Sequence, residues 1–504
     1  MKIKPRKSAL LVFCGVFAIF LSSCKNPFLA NADGKYQVSF VTNCNTEIAS
    51  YRTDKIESIQ KLTKEGFEFD GWYTNSSFEG VPISFPYEVT QEITLYAKWL
   101  NKDNIVYIYP DNYKENNVDY VYSNGILSIS TEKERIVFNG TFNDLSIRLN
   151  KANAKIIFDN FILNSSKTSH LREASFDFSI KYNGANKLSS SSSTLDSLIK
   201  SSGTIEIKGN ENSSLELQPN ATTTSTDCAT VKANKVIINS GILKIKGSDG
   251  EDYSTDIKGK ITGRNGASGI EASKTVVKND AKVTIEAGKG GKGAQGITGN
   301  PQRSQPTQID LPWSTGETGG RGGDGGTGGS GGNGGNAVKG DFFAESGKIV
   351  LSGGKGGTGG EGGSGSKGGK GQQVTAWWST GGTGGPGGAG GLGGTGGTGG
   401  NAIKGNFSAE SGEIVLSGGK GGTGGNGGSG GNGGDGGNYR DNSTGGSGGR
   451  GGNGGTGGSG GNGGNAVTGS IEQKDASVIL SEGESGSRGN VGNSGNSGSS
   501  GVYK

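Results

Sequence analysis

The side chains with the clearest chemical potential in this sequence are aromatic. Trp313, Trp377, Trp378 and Tyr439 stand in three short segments, QIDLPWSTG ending at Gly316, VTAWWSTG ending at Gly381 and NYRDNSTG ending at Gly445, in a region with almost no other rings. Exposed indole and phenol rings give rigid, amphipathic contact area suited to sugar faces or protein surfaces, and Arg440 beside Tyr439 joins them as a candidate contact. The same rings could instead pack on each other and close the end of the structure that bears them. A second cluster, Asp249, Glu251 and Asp252, could hold a hard oxygen-seeking cation such as calcium. It supplies few of the six to eight oxygens calcium takes, so a solvated turn is the other reading. No further cofactor is implied. The single histidine, His170, lies among Ser and Thr and reads as an exposed polar residue; alone it supports neither a His-rich metal site nor a Ser-His-Asp arrangement with further histidines. None of the Gly-Gly-X runs ends in the Lys-Ser/Thr of a phosphate loop, which argues against nucleotide binding. No enzyme is expected.

Those candidates must be positioned by a chain whose composition is uneven. Of 504 residues 102 are Gly, most of them beyond Gly288. The formal charge of +4 comes from Lys2, Lys4, Arg6 and Lys7, and without them 46 basic residues face 46 acidic ones. Such a balance supplies no long-range field for nucleic acid. Residues 1–23 have the form of an export signal: a basic start, an apolar run from Ala9 to Leu21 and small residues after it. The run is shorter than the roughly 20 residues of a membrane span.

The sequence Leu21-Ser22-Ser23-Cys24 resembles the lipobox of bacterial lipoproteins. The resemblance implies cleavage before Cys24, a diacylglyceryl group on its thiol and acylation of the new amine, with 24–35 as a tether. Two or more acyl chains anchor stably where one does not. The expected location is the cell envelope, as a membrane-anchored lipoprotein of the outer membrane or cell surface. Cys14 leaves with the signal, so Cys44 and Cys228 remain, in different segments, and a disulfide framework is not expected.

Residues 36–100 open with a β-rich run, Tyr36 to Val41, and continue through Asp54 to Leu62, whose apolar spacing is compatible with a helix. They close with ITLYAKW, Ile93 to Trp99, which alternates like a half-buried strand. Phe69, Gly71, Trp72, Tyr73, Leu95, Tyr96, Ala97 and Trp99 resemble the recurring features of the Listeria–Bacteroides surface repeat, the internalin B-repeat type. That family implies a β-grasp fold, a surface location and a spacer or adhesive role; Trp72 and Trp99 then read as core rings. After a polar connector, 101–120, short strand-like runs separated by Gly, Asn and Ser fill 121–288 without helical stretches, which suggests a solenoid. KIIFDNFILNSS and KVIINSGILKIKGSDGED resemble, in style, a calcium-associated, carbohydrate-binding family of right-handed parallel β-helices. That family implies polysaccharide binding.

From 289 to 504 the chain repeats itself. Copies of NAVKGDFFAESGKIVLSGG begin at Asn336, Asn401 and Asn465, 65 and 64 residues apart, giving β rungs near 336–352, 401–417 and 465–481. Between them run Gly-Gly-X triplets, whose period of three matches the three residues per turn of an extended polyproline-II-type helix. Gly316 to Asn336, Gly381 to Asn401 and Gly445 to Asn465 each span 20 residues although the X residues differ freely. A flexible linker has no reason to keep that register, although recent duplication would. The pattern resembles polyglycine-II bundles and would put all the aromatic-bearing reversals at one height. The expected fold is therefore mostly β: a small β-grasp domain, then a right-handed parallel β-helix or solenoid with glycine-rich, polyglycine-II-like excursions. The expected function is a non-enzymatic surface adhesin or display scaffold that binds a glycan or a host or surface protein. A calcium-dependent polysaccharide-binding β-helix comes second, and a polysaccharide lyase last.

Overall fold

Runs of β-branched and aromatic residues bounded by Gly, Asn and Ser become strands throughout this chain. The computed structural model describes residues 34–79, 82–173, 176–224, 228–253, 262–302, 309–440 and 442–503; Cys24 lies outside them. The structure is almost all β, and the one helical element among the described residues is a 3₁₀ turn at Lys102–Asn104. It divides into two units, Met1–Ile105 and Val106–Lys504.

The first unit is a four-stranded sheet in the order Tyr51–Thr53, Tyr36–Val41, Ile93–Asn101, Phe67–Tyr73. Tyr36–Val41 runs parallel to Ile93–Asn101, and the other pairs are antiparallel. Alternation along Ile93–Asn101 sends Leu95 and Ala97 into a core shared with Val38, Ile56, Leu62, Trp72 and Val89. Trp72 is buried, and Trp99, half-buried, donates its Nε1–H to Thr42 O at 2.7 Å. At the bulge beside Gly71 the backbone has φ 137°, and a Cβ there would run into Pro82. Asp54 to Leu62 forms no helix. Lys55–Ile56 is a two-residue strand, and Ile59 and Leu62 reach the core from chain with no regular element. Apolar spacing of three does not require a helix, because irregular chain can bring the same side chains to one core.

In the second unit short strands pair in parallel with strands further along the chain, and columns of strands build up. One column runs Ala185–Ser190, Ser214–Pro219, Ile242–Lys246, Lys282–Glu286, Lys348–Ser352, Glu413–Ser417, Ser477–Ser481. Side chains at matching positions stack inward: Leu217, Ile245, Ile285, Leu351 and Leu416 are buried one above another. Each such side chain contributes about 1.5–3 kcal/mol on leaving water, so strands too short to persist alone hold each other. At the start of the unit Tyr113 packs edge-on against Tyr122 and Phe142. Beside it lies an antiparallel hairpin, Tyr120–Ser123 with Ile126–Ile129. His170, read from the sequence as exposed, is fully buried on Ser169–Glu173, between buried Ser169 and Leu171. Its Nε2 lies 2.7 Å from Ser189 O, and burial lowers its pKa.

The glycine-rich segments are ordered arms with one bonding rule. In the triplet after Lys355, Gly356 N–H donates to Lys420 O at 2.8 Å, in the corresponding outgoing arm one repeat later. Gly357 N–H donates to Gly332 O at 2.7 Å, in the neighbouring returning arm. The same two bonds recur along 316–336, 353–373, 381–401 and 418–438, as at Gly384 to Ser447 O and Gly385 to Gly369 O, while 445–465 keeps the second, as at Gly449 to Gly434 O. Outgoing and returning arms thus form two hydrogen-bonded layers, with X residues on the outside. A Cβ on Gly356 would overlap Gly397 O, and one on Gly357 would overlap Gly291 O, so both glycines are required by approach of the backbones. The X positions add a second bond: Asn333 Oδ1 accepts Thr398 N–H, Asn426 Oδ1 accepts Asn490 N–H, and Asn432 Oδ1 accepts Asn496 N–H, each at 2.9 Å. The arm 482–503 breaks the rule. Where the others have the first glycine of each triplet it has Ser485, Arg488, Val491, Ser494, Ser497 and Ser500, all exposed.

Candidate ligand-binding site

The three reversals are superimposed by the arms beneath them. Ile309 bridges Val374, Thr315 bridges Thr380, and Thr380 bridges Thr444, all in parallel. A column of serines locks the turns: Ser314 N–H donates to Ser379 Oγ and Ser379 N–H to Ser443 Oγ, each at 3.2 Å. Ser314 Oγ and Ser379 Oγ both donate to Leu311 O, at 2.6 and 3.0 Å. The residue before each serine takes the left-handed conformation, Trp313 at φ 62°, Trp378 at φ 59° and Asn442 at φ 54°. Asn tolerates that region; for a bulky ring it is strained.

Strain at two tryptophans is repaid by no burial. Trp313 is 78% exposed, Trp377 62% and Trp378 57%. Trp313 and Trp378 stack with centroids 5.9 Å apart and planes at 10°, so each ring orients the other while most of their surface faces water. These rings therefore pack together and also remain open to water. Leu311, 69% exposed, extends the apolar area; as an isolated Leu in a loop it gave no signal in the sequence. Arg440 is exposed and takes the place held by Leu311 and Ala376 in the two earlier reversals. Tyr439 is half-buried, pairs with Tyr503 and meets its ring edge-on at 5.9 Å. It belongs to the support of the surface more than to its face. Thr375 Oγ1 donates to Asp310 Oδ1 at 2.5 Å beside the rings, and the arrangement can offer flat apolar contact with polar groups at its border.

Two members of the acidic cluster accept hydrogen bonds from backbone. Asp249 Oδ1 accepts Lys289 N–H at 2.9 Å and Asp252 Oδ1 accepts Lys292 N–H at 2.5 Å, the bonds that Asn makes at later X positions. Glu251 is exposed. Among the described residues no group of three or more His, Cys, Asp or Glu is placed to hold a metal ion; residues 254–261, which follow the cluster, lie outside them.

Comparison with known proteins identifies one segment. Residues 36–98 match the family model of the Listeria–Bacteroides repeat domain, so the first unit contains one copy of that repeat. No curated protein sequence matches the chain. Among solved structures, a springtail antifreeze protein from Granisotoma rainieri, described as a nine polyproline type II helical bundle whose crystal waters match the ice lattice, is 23% identical. The match covers 44% of this chain and 94% of that one with a TM-score of 0.09, and carries no argument about this molecule's fold or function.

Proposed function

We propose that this chain is a non-enzymatic surface adhesin or display lipoprotein, held to the cell envelope through an acylated Cys24, that engages a glycan or protein through the aromatic reversals. In this reading the columns of parallel strands form a right-handed β-helix and the glycine arms a polyglycine-II bundle that carries Trp313, Trp377 and Trp378 away from the rungs. One observation supports it above the others: three exposed tryptophans sit on superimposed turns, two of them in a strained backbone conformation. Large rings left in water at a cost in strain are unprofitable for folding and useful for contact. In chain order the Listeria–Bacteroides repeat follows Cys24 and precedes the strand columns.

The test is a combined substitution, Trp313→Ala, Trp377→Ala, Trp378→Ala and Tyr439→Ala, assayed for attachment to immobilised glycans and extracellular matrix proteins. Aromatic hot spots are worth about 2 kcal/mol or more each, so apparent affinity should fall by more than about thirtyfold while the thermal transition of the rungs stays in place. Attachment at the parental level would overturn the proposal.

A further inference from the structure

The strand Ser477–Ser481 lies at the far end of the column that begins with Ala185–Ser190. It pairs in parallel with Glu413–Ser417, and its register sets Val478 beside Ile414 and Leu480 beside Leu416, both of them buried. Val478 and Leu480 therefore point toward the core and Ile479 away from it. Yet Leu480 is 43% exposed and Ile479 57%, so the core is open at this rung. The backbone is open as well. Ser477 N–H donates to Gly412 O at 2.9 Å, and Ser481 O accepts Gly418 N–H at 2.8 Å, both toward the preceding rung. Successive residues of a strand turn their N–H and C=O to opposite sides, so those of Val478 and Leu480 face away from Glu413–Ser417.

Exposed edges are ordinarily blunted by a charge, a proline or a bulge. Ser477–Ser481 has none of these: it reads Ser-Val-Ile-Leu-Ser and keeps an unbroken register with its neighbour. The strands it continues, Lys282–Glu286, Lys348–Ser352 and Glu413–Ser417, each begin with a charged residue and are covered on both sides. The charge disappears where the edge is bare. The five residues are also nearly a palindrome about Ile479. When two such strands pair antiparallel across a two-fold axis at Ile479, Ser477 lies opposite Ser481 and Val478 opposite Leu480. The outward N–H and C=O of Val478 and Leu480 then bond those of Leu480 and Val478 in the second copy, and Ile479 meets its counterpart at the position where side chains approach most closely. The axis reverses the strands, so the glycine arms leave in opposite directions and 482–503 of one copy does not lie on that of the other. We propose that Ser477–Ser481 is a self-association strand, on which a second copy of this chain docks antiparallel to give a closed, two-fold dimer joined end to end, independent of the aromatic reversals.

Sedimentation velocity of the Cys24→Ser chain, in which no acyl group can drive association, tests this. It should sediment as a dimer with or without the four reversal aromatics, which separates the outcome from that of the adhesin reading. Ile479→Lys alters a side chain that points out of the core, so the thermal transition should stay in place. The change sets two cations against each other on the axis and should raise the dissociation constant at least about tenfold. Monomer alone at every concentration would overturn the proposal, as would parental association in Ile479→Lys or growth past the dimer, the mark of a head-to-tail contact. If that variant fails to fold, Ile479→Cys decides. Opposed residues at a non-hydrogen-bonded position stand about 4.5 Å apart at Cα, within reach of a disulfide, so oxidation with diamide should yield a cross-linked dimer. Ile471→Cys, exposed but on the different strand Ile471–Gln473, should stay uncross-linked under the same conditions; equal cross-linking of the two variants refutes the pairing.

Discussion

Replacing Gly391 by Ala isolates the physical basis of the glycine arms. Gly391 is buried and does not have positive φ, so Ala can adopt its backbone conformation; the obstacle is space. A Cβ there would overlap Gly326 O and press on Gly325 O, in the returning arm one repeat earlier. To make room the two arms must part, and the bonds joining them nearby are Gly325 N–H to Ala389 O at 2.9 Å and Gly328 N–H to Leu392 O at 2.8 Å. A buried donor left unpaired costs about 1–3 kcal/mol, so the loss is about 2–4 kcal/mol, with the lower end applying where water enters the gap. Leu392→Ala, at a half-exposed X position, is the control and should change stability by about 0.5 kcal/mol or less. In a flexible linker the glycine substitution would do nothing to the folded state. Hydrogen exchange on peptides from 316–336 and 381–401, read with urea unfolding, distinguishes the cases. Gly391→Ala should release protection in both arms, whereas exchange indistinguishable from Leu392→Ala would refute the close-packing argument.

Two further outcomes follow from single residues. His170 is buried as the neutral ring, and its folded pKa lies below the unfolded value of 6.5. As pH falls below about 6.5 the unfolded chain takes up the proton first, so stability should decline with pH from there down to the lower folded pKa. In His170→Leu that part of the slope should vanish from urea midpoints measured between pH 7.5 and 5; identical slopes would show that another group is responsible. Cys24→Ser should move the exported chain from the detergent-rich to the aqueous phase in a cloud-point partition, since a lone signal peptide leaves no acyl chains behind; continued detergent partition would remove the anchor from the proposal.

Much of the architecture was legible because it is periodic. Alternation in ITLYAKW marks its inward residues, and the constant 20-residue arms announce equal lengths whatever occupies the X positions. What stayed hidden depends on register between distant rungs. Arg148, Arg172, Lys200 and Lys232 are 24, 28 and 32 residues apart, unequal steps that show no periodicity until the strands are stacked. His170 was misread because Ser and Thr around it suggest surface, whereas here several of those small polar residues, Ser165, Ser169 and Ser189 among them, are interior. The aromatic reversals were found by composition alone, but their left-handed backbone and their serine lock could not be.

The departure of the arm 482–503 from the triplet rule bears on how the molecule behaves among its own kind. Each preceding outgoing arm shows the next one a strip of bare backbone, the surface another glycine rod would zip onto. On this arm Ser485, Arg488, Val491, Ser494, Ser497 and Ser500 stand in the way, and Arg488 reaches back to Gly457 O at 3.2 Å across the adjoining returning arm. A glycine surface that would accept a further rod is thereby interrupted on this arm, and a neighbouring copy meets hydroxyls and a guanidinium there instead of an invitation to polymerise.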